Sequence, residues 1–324
     1  MTRPKITLAL SVYDRHIPFF DGTVVLKNAN LQVLAVGEAN SLRDGGKRHH
    51  RMLIDQEFDA CEVSLSSYII ARNQGLPFGA IPVFPRRLFS YSHIWVGADA
   101  SISAPKDLIG CKVGVITFQT TLSVQAKGDL KSEFGIPWRD LQWHVAAEEP
   151  IDFMPPPGLV LHRIPEGRKL GEMLESREID ALITPRPPTG TKGTAKFRRL
   201  FADPRREELR YFRDHGFFPM MHVIAFKEES MARHPWLANA LIEAFCQAQE
   251  ICQSYYADPN WTILAWTRHL FEEEQKSLAG NLWPIGVAGN RNNLDRFLDY
   301  MMDQSLLSKR PRLAELFPPT LADS

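Results

Sequence analysis

A short sequence phrase occurs twice in this chain, 121 positions apart. The two copies are Met52-Leu53 followed by Glu57-Phe58-Asp59-Ala60, and Met173-Leu174 followed by Glu178-Ile179-Asp180-Ala181. Each copy continues into an apolar segment typical of a buried strand, so a helix is predicted to end near each Met-Leu pair and a strand to begin after each Asp. The repeat predicts two α/β lobes of similar construction, with a ligand cleft between them.

The length of 324 residues exceeds the roughly 250–300 residues at which a single core stops growing. Strand-like segments at Ser92–Gly97 and Phe217–Val223 are predicted to carry the chain between two lobes. Lobe one is therefore expected to hold residues 1–92 and 224–324, and lobe two residues 93–223. The predicted class is α/β, with two crossover strands and a central cleft.

The charges of the chain balance, with 38 basic and 38 acidic residues. This balance gives no indication of a nucleic-acid or membrane partner, and a small-molecule ligand is expected instead. The basic run Lys47-Arg48-His49-His50-Arg51 is the local exception. We interpret it as a solvated loop after Gly45-Gly46, with an anion site as the alternative.

The cysteine pattern favours a reducing compartment. The four cysteines form no C-x-x-C pair, and three lie in apolar stretches where a thiol behaves as a small hydrophobe. The apolar N-terminal stretch is at the lower limit for a signal peptide, and no run reaches the roughly 18 residues of a membrane span. We expect a cytoplasmic protein, and the sequence leaves its oligomeric state open, a homo-oligomer included. The cysteines are Cys61, Cys111, Cys246 and Cys252.

Polar side chains follow three predicted strands, where the crevice of an open α/β sheet lies. Asp14 and Arg15 follow the first strand, and serines and threonines at the later turns can bind an anion through hydroxyl and backbone N–H groups. The alternatives are a salt bridge in the first turn and plain helix caps in the others. The residues at the later turns are Ser66, Ser67, Thr117, Gln119 and Thr120.

The phrase Ile102–Val115, with its core Pro-Lys-Asp-Leu-Ile-Gly-Cys-Lys-Val-Gly-Val, resembles the second-lobe entry of type 2 periplasmic binding proteins. The resemblance is closest to the group of thiamine-precursor and sulfonate receptors. It implies the two-lobed fold and leaves the function open.

More specific motifs resemble the 4,5-dihydroxyphthalate decarboxylase family over roughly residues 5–307. Two features depart from the family pattern: Ser90-Tyr91 replaces a basic residue and a histidine before Ser92, and Asn40–Lys47 is an insertion. Both put the identity of the substrate in question. The matching motifs are Tyr13-Asp14-Arg15, Glu62-Val63-Ser64-Leu65-Ser66-Ser67-Tyr68, Ile81-Pro82-Val83-Phe84-Pro85, Thr184-Pro185-Arg186-Pro187, Phe218-Pro219-Met220-Met221-His222, Trp283-Pro284-Ile285-Gly286 and Asn290-Arg291.

This resemblance implies a non-oxidative aromatic decarboxylase without an organic cofactor. A ring hydroxyl para to the departing carboxylate supplies electrons, and a general acid protonates the ring carbon. We assign that proton to His222, a relay role to Asp14, and a phenol or carboxylate contact to Arg15. The further substrate contacts predicted are Ser66, Ser67, Arg87, Thr117, Gln119, Thr120, Arg186, Phe218 and Arg291, with Arg87 and Arg186 as carboxylate clamps because an arginine fork binds both oxygens.

Other interpretations of the same residues stay open. His222 also fits a core histidine, and the arginines fit surface positions. A divalent metal is not indicated, because His49, His50, His93, His215 and His222 show no H-x-x-x-H or H-E-x-x-H spacing. The alternative function is a solute receptor of a transporter for an aromatic or small organic anion, which would carry a signal peptide. An enzyme of pyrimidine-precursor synthesis is a third candidate, but its motifs are missing.

Overall fold

The computed structural model describes residues 3–37, 47–189, 196–318 and 321. The predicted insertion Asn40–Lys47 lies outside the described residues except for Lys47, and so does the predicted loop glycine pair Gly45-Gly46. No helix in the described part of the chain combines the length and apolar character that a membrane span requires.

Eleven strands and eleven α-helices occur along the described residues. The strands are β1 Lys5–Leu10, β2 Asn30–Ala35, β3 Ala60–Ser64, β4 Phe78–Ile81, β5 Ile94–Gly97, β6 Lys112–Val115, β7 Gln142–Val145, β8 Leu161–Arg163, β9 Ala181–Ile183, β10 Phe197–Arg199 and β11 His222–Lys227. The helices are α1 Ile17–Phe20, α2 Arg48–Leu53, α3 Leu65–Asn73, α4 Thr121–Phe134, α5 Leu170–Glu175, α6 Pro204–His215, α7 Glu228–Arg233, α8 Leu237–Tyr255, α9 Thr267–Ser277, α10 Arg291–Asp303 and α11 Leu313–Leu316.

The chain divides into two compact units. The first holds Met1–Arg86, His222–Arg291 and Pro311–Ser324, and the second holds Arg87–Met221 and Asn292–Arg310. The chain therefore leaves the first unit after Arg86 and returns at His222, six and two residues before the boundaries expected from the sequence.

Helix α10 accounts for the main difference from the predicted boundaries. Its position in the sequence predicts that it belongs to lobe one, whereas nearly all of it belongs to the second unit. Its polar side chains explain this assignment, because the Tyr300 hydroxyl donates to Asp129 at 3.0 Å and Asp303 accepts from the Trp138 indole at 3.1 Å. Amphipathic spacing along the helix predicts that it packs, but does not predict against which sheet.

Each unit is built on one mixed sheet, and the two sheets share a strand order. The first runs β2-β1-β3-β11-β4, and the second runs β8-β7-β6-β9-β5-β10. In each, the central strands are parallel and the next strand, β11 or β5, is antiparallel to them. Both sheets thus have the open α/β arrangement in which ligands bind at the carboxyl ends of the parallel strands.

The sequence repeat occupies the same position in both sheets. Asp59 accepts a hydrogen bond from the backbone N–H of Thr7 on β1 at 2.9 Å, and Asp180 accepts one from Lys112 on β6 at 2.8 Å. Each Asp thereby ties the turn before its own strand to the first parallel strand of the sheet. The repeat therefore marks equivalent turns in two separate sheets, as the sequence predicts.

The core of the first unit lies between its sheet and helices α1 and α8. Leu8 and Leu10 on β1 pack in one cluster with Phe19, Leu241 and Phe245. A separate cluster in the second unit joins Trp95 on β5 to Met173 and Leu174 of the repeat. Helix α8 begins two residues after Pro235. All four cysteines are free thiols, as expected.

A buried acid and two histidines at the edge of the first sheet

Three strands of the first sheet bring polar residues to one edge. The parallel strands β1 and β3 end there at Leu10 and Ser64, and the antiparallel strand β11 begins there at His222. His222 lies opposite Ser64 in the β3–β11 pair. Side chains at this edge occupy the crevice position of an open α/β sheet.

Glu62, on β3, is the central group of this edge. Its side chain is completely buried, and it contacts Nδ1 of His222 through Oε1. Its other oxygen accepts a hydrogen bond from the backbone N–H of Ser11 at 3.0 Å. Burial alone would raise the pKa of this carboxyl, but the charge of Arg48 and the hydrogen bond to His222 hold the pKa well below its usual value.

Arg48, at the start of α2, compensates the buried charge of Glu62. Its Nη2 lies 3.4 Å from Oε1 of Glu62, and neither side chain is exposed. Its Nε donates to the carbonyl of Glu62 at 2.7 Å, and its Nη1 donates to the carbonyl of Val36 at 2.6 Å and to the Ser11 hydroxyl. A buried carboxylate with a paired guanidinium stays ionised, which lets it accept a hydrogen bond from a neighbouring imidazole.

The partners of His222 assign its tautomer. Because Nδ1 lies against the ionised carboxylate of Glu62, Nδ1 carries the proton and Nε2 of the neutral ring has a lone pair. Burial lowers the pKa of His222 to about 4, and the opposing charge of Glu62 limits that shift. The side chain keeps 8% of its surface exposed. His222 is therefore a neutral ring in the free protein, held by a carboxylate that would stabilise its protonated form.

A second imidazole, that of His49 on α2, lies beside His222. The ring centroids are 5.2 Å apart and the ring planes are inclined by 75°. Nδ1 of His49 accepts a hydrogen bond from the backbone N–H of Ser64 at 3.0 Å, so the proton of the neutral ring is on Nε2. Burial and the charge of Arg48 lower the pKa of His49 well below its usual value.

Arg86 is the cation of this edge that is available to an anion. It is half-buried, its carbonyl accepts from the backbone N–H of His222 at 3.4 Å, and its charge adds to burial in lowering the pKa of His222. Within the described part of the chain, its guanidinium has no hydrogen bond or ion pair. An arginine in this state is suited to a bidentate carboxylate.

Asp14 and Arg15 follow β1 as predicted, and they form an ion pair at 2.9 Å. Asp14 also accepts from the Tyr256 hydroxyl at 2.5 Å, and Nε of Arg15 donates to the carbonyl of Pro85 at 2.5 Å. The hydrogen bond from Tyr256 and the charge of Arg15 outweigh burial and keep the pKa of Asp14 below its usual value. This geometry favours the turn salt bridge, and the relay role of Asp14 stays a prediction.

A small cavity of about 40 Å³ lies beside Arg15. Its lining includes His16, Phe245 and Trp283, and the Arg15 guanidinium lies 4.6 Å from the centroid of the Trp283 ring. Nδ1 of His16 donates to the carbonyl of Ser11 at 2.8 Å.

Ser66 and Ser67 lie in the first turn of α3, where the sequence places them. Both side chains are fully buried. The Ser66 hydroxyl pairs with that of Ser64 at 3.0 Å, and Oγ of Ser67 has no hydrogen-bond partner among the described residues. Their burial favours a structural role over direct substrate contact.

The corresponding turn of the second unit is occupied by a carboxylate of the same chain. Glu149 accepts hydrogen bonds from the backbone N–H groups of Phe118 at 2.7 Å and of Gln119 at 3.1 Å, just before α4. The Gln119 amide donates to the carbonyl of Ile151, and the Thr120 hydroxyl donates to the carbonyl of Thr117. The donors predicted to bind substrate at Thr117, Gln119 and Thr120 therefore have partners within the unit.

The remaining predicted contacts are Arg87, Phe218, Arg186 and Arg291. Arg87 is buried, donates to the carbonyl of Phe218 at 2.7 Å, and has its pKa lowered to about 9 by burial. The Phe218 ring stacks on Phe89 with centroids 4.7 Å apart. Arg186, in the second unit, and Arg291, at the end of a first-unit segment, are exposed. The contacts of Arg87 favour a structural role, and the clamp role of Arg186 stays a prediction.

Sequence reasoning missed Glu62, Arg48, His49 and Arg86. The interpretation of the basic run as a solvated loop is wrong, because Arg48 is fully buried and begins a helix. One signal was present in the sequence: a glutamate inside the buried strand Ala60–Ser64 requires a buried partner. Among the residues that the structure describes, no group of three or more His, Cys, Asp or Glu side chains could hold a metal ion.

Comparison with known proteins identifies the family. The chain is 32% identical over 334 aligned positions to the 4,5-dihydroxyphthalate decarboxylase of Comamonas testosteroni, covering all of this chain and 99% of that protein. The chain belongs to the 4,5-dihydroxyphthalate decarboxylase family. It is also 32% identical over 212 positions to the enzyme of the same description from Pseudomonas putida, covering 63% of this chain and 80% of that protein. No family model matches the chain.

Membership in this family of carboxy-lyases confirms the resemblance found in the motifs. Solved structures confirm the fold. The periplasmic aliphatic sulphonate binding protein SsuA from Escherichia coli matches with a TM-score of 0.56 and 10% identity over 99% of both chains. The alkanesulfonate-binding protein SsuA from Xanthomonas axonopodis pv. citri, bound to MOPS, matches with a TM-score of 0.57 and 10% identity over 96% of both chains. The chain thus has the two-lobed α/β fold of periplasmic binding proteins.

Proposed function

We propose that this protein is a non-oxidative decarboxylase of a hydroxylated aromatic carboxylate similar to 4,5-dihydroxyphthalate, and that His222 protonates the ring carbon. The observation that carries the proposal is the Glu62–His222 pair. A fully buried carboxylate holds Nδ1 of a histidine whose ring remains partly exposed at the edge of the sheet. Membership in the decarboxylase family supplies the reaction class.

The reaction needs one proton at the ring carbon. A ring oxygen para to the departing carboxylate pushes electron density towards that carbon, which takes a proton from the imidazolium of His222. The bond between the ring carbon and the carboxylate then breaks, its electron pair restores the aromatic ring, and CO2 leaves. The sum is carboxylate plus proton to ring C–H plus CO2, with no oxidant or reductant.

The pKa of His222 explains how the acid is formed. In the free protein burial lowers it to about 4, so the ring is mostly neutral near pH 7. A substrate with carboxylate groups brings negative charge beside the ring, which raises the pKa of an imidazole. Glu62 stabilises the imidazolium that results, as a carboxylate does for the histidine of other acid–base pairs. Substrate binding therefore favours the protonated form of His222.

Arg86 is the proposed anchor for the carboxylate that stays on the ring. Its guanidinium is half-buried, close enough to affect the pKa of His222, and without a described partner. A planar fork binds both carboxylate oxygens and fixes the ring against the acid. Anchoring of the second carboxylate would favour phthalates over simple benzoates.

The proposal is tested by incubating the purified protein with hydroxylated phthalates and benzoates and measuring CO2 release. In D2O, mass spectrometry of the product should show one deuterium at the carbon that lost the carboxylate. Release of CO2 without deuterium at that carbon would contradict protonation of the ring carbon from an exchangeable acid. Absence of CO2 release across the panel would contradict the function itself.

A solute receptor is the second candidate, because the protein shares its fold with sulphonate-binding proteins. Arg86 and the exposed edge of His222 would then bind an anion without reaction. The same panel distinguishes the two functions. Tight binding by calorimetry without CO2 release favours a receptor, whereas turnover favours the enzyme.

A further inference from the structure

We infer that His49 is a substrate-binding residue whose Nε2–H donates a hydrogen bond to the ring oxygen para to the departing carboxylate and favours the ionised form of that oxygen. This inference rests on the proposed decarboxylation. It assigns the electron-donating end of the substrate to a residue of α2, which is a different element from the one that carries His222.

The first step is the fixed tautomer of His49. A backbone N–H can only donate, so the 3.0 Å hydrogen bond from Ser64 makes Nδ1 the acceptor and places the proton on Nε2. The preceding residue, Arg48, is held by the carbonyls of Glu62 and Val36, which fixes the start of α2 against the sheet. Backbone groups thus hold both His49 and the residue before it, which fixes the position of the Nε2–H donor.

The second step is the direction of the two rings. Strand β3 holds both through Nδ1, by way of Glu62 for His222 and Ser64 for His49. In each ring Nε2 is therefore the nitrogen that β3 does not engage. The ring centroids are 5.2 Å apart, so one bound aromatic ring is large enough to contact both imidazoles. Neither Nε2 has a hydrogen-bond partner among the described residues.

The third step is charge. Burial lowers the pKa of His49 most, the charges of Arg48, His222 and Arg86 lower it further, and the opposing charge of Glu62 does not prevent the ring from being neutral. A neutral imidazole with a fixed N–H does not deliver its proton, but it can polarise an oxygen, as helix N-termini and neutral histidines do in other sites.

The chemistry gives this donor a function. An ionised ring oxygen pushes electrons to the para carbon more strongly than a hydroxyl does, and His49 stabilises that ionised form. The inference defines the substrate class as aromatic acids with a free hydroxyl para to the carboxylate that leaves. A methyl ether at that position cannot ionise and should be rejected.

The test uses 4-nitrocatechol, which changes colour when it ionises and carries a planar nitro group in place of the departing carboxylate. Absorbance titration gives the pKa of the protein-bound probe. In the wild-type protein this pKa should be lower than in His49→Leu by about one unit, which corresponds to tenfold in affinity for the ionised form. His49→Gln, which retains an N–H donor, should keep at least half of the shift.

Two controls separate this role from a structural one. His50→Leu, at the exposed neighbouring position of the same helix, should leave the pKa of the bound probe unchanged. His49→Gln should also keep the same number of limbs in the pH dependence of CO2 release, because a residue that does not exchange its proton contributes no limb to that profile. Loss of a limb in His49→Gln would overturn the inference.

The inference also fails if the wild-type protein binds 4-nitrocatechol and its ether, methylated on the hydroxyl para to the nitro group, with equal affinity. It fails if His49→Leu and wild type give the same pKa for the bound probe. These outcomes are independent of turnover, since the probe loses no CO2. Failure of the proposed function is seen instead as absence of CO2 release by the wild-type protein.

Discussion

The two sheets of this molecule share one register but carry different side chains where their parallel strands end. Leu8 pairs with Ala60 in the first sheet, as Val113 pairs with Ala181 in the second. Counting from these pairs, Glu62 corresponds to Ile183, and both are buried. The position of the buried carboxylate in one sheet is thus filled by an aliphatic side chain in the other.

The antiparallel strands show the same contrast. Ile224 on β11 lies opposite Glu62, and Ile94 on β5 lies opposite Ile183. His222 therefore corresponds to Ser92, whose backbone N–H donates to Glu208 at 2.9 Å. The second sheet offers no counterpart of the carboxylate–imidazole pair at these positions. The two sheets therefore share one backbone arrangement, and of the two only the first carries a carboxylate and an imidazole at these positions.

The largest effect is expected from His222→Asn. Turnover should fall by roughly 10²–10⁴, the usual contribution of a general acid, because asparagine keeps a hydrogen bond to Glu62 but supplies no acid. Affinity for the aromatic acid should stay within about tenfold, or about 1.4 kcal/mol. CO2 release and calorimetric titration of the same variant measure the two quantities.

Ser92→Ala, at the corresponding position of the second sheet, is the matched control and should turn over substrate almost normally. An equal loss in both variants would break the comparison between the sheets. Unchanged CO2 release in His222→Asn would remove His222 from the mechanism and make Asp14 the next candidate acid.

Acid should destabilise the first unit through buried His222, whereas a rise in pH should destabilise the second unit through buried Asp129. The pKa of His222 is lowered from 6.5 to about 4, so the unfolded chain binds more protons between these values, and the contribution of His222 to stability is lost as pH falls from about 6.5 to 4. The pKa of Asp129 is raised by burial from 3.8 to about 6, so its contribution is lost as pH rises through that range. Each effect amounts to about 3 kcal/mol at most.

Hydrogen exchange of each unit between pH 4 and pH 7 measures these slopes. His222→Asn should reduce the loss of protection of the first unit at acid pH, and Asp129→Asn should change the slope only in the second unit. Equal slopes in the variants and the wild type would contradict the assigned pKa directions.

Arg86→Leu should weaken binding of an aromatic dicarboxylate by roughly 10–100-fold, because a charged hydrogen-bonded pair contributes about 1.5–3 kcal/mol. Arg86→Lys should recover part of this loss, since an ammonium keeps the charge without the fork. Arg186→Leu is the matched variant in the second unit. Calorimetry with a phthalate and a benzoate compares them, and an equal loss in Arg186→Leu would show that the second unit also supplies a clamp.

The smallest effect on binding is expected from Glu149→Gln. This change leaves the backbone N–H groups of Phe118 and Gln119 with a weaker acceptor, so the unfolding free energy should fall by about 1–2 kcal/mol. Affinity for substrate should change by less than about tenfold. Denaturant unfolding and calorimetry measure the two values. A clear gain in affinity would indicate that substrate competes with Glu149 for this turn, as the predicted roles of Thr117 and Thr120 require.

Local patterns predicted the architecture well. The repeat placed two equivalent turns in two sheets, and Asp14 and Arg15 follow the first strand as predicted. The buried site was harder to predict because its pairs are distant in sequence. Arg48 and His49 look like surface residues in a basic run, and only the path of α2 beside β3 brings them to Glu62. Likewise, Arg86 and Arg87 are indistinguishable in sequence. The buried guanidinium of Arg87 donates to a backbone carbonyl, whereas that of Arg86 has no hydrogen bond or ion pair among the described residues.

The duplicated turns of the repeat have a consequence for engineering. Gln56 and Arg177, each three residues before its aspartate, are exposed and adopt left-handed backbone with φ of 51° and 61°. A side chain in this conformation costs about 1 kcal/mol relative to glycine. Glycine at either position should therefore thermostabilise the half of the protein that contains it. The chain thus has two equivalent positions at which a glycine substitution should raise thermal tolerance. Both are distant in sequence from His222, the proposed acid.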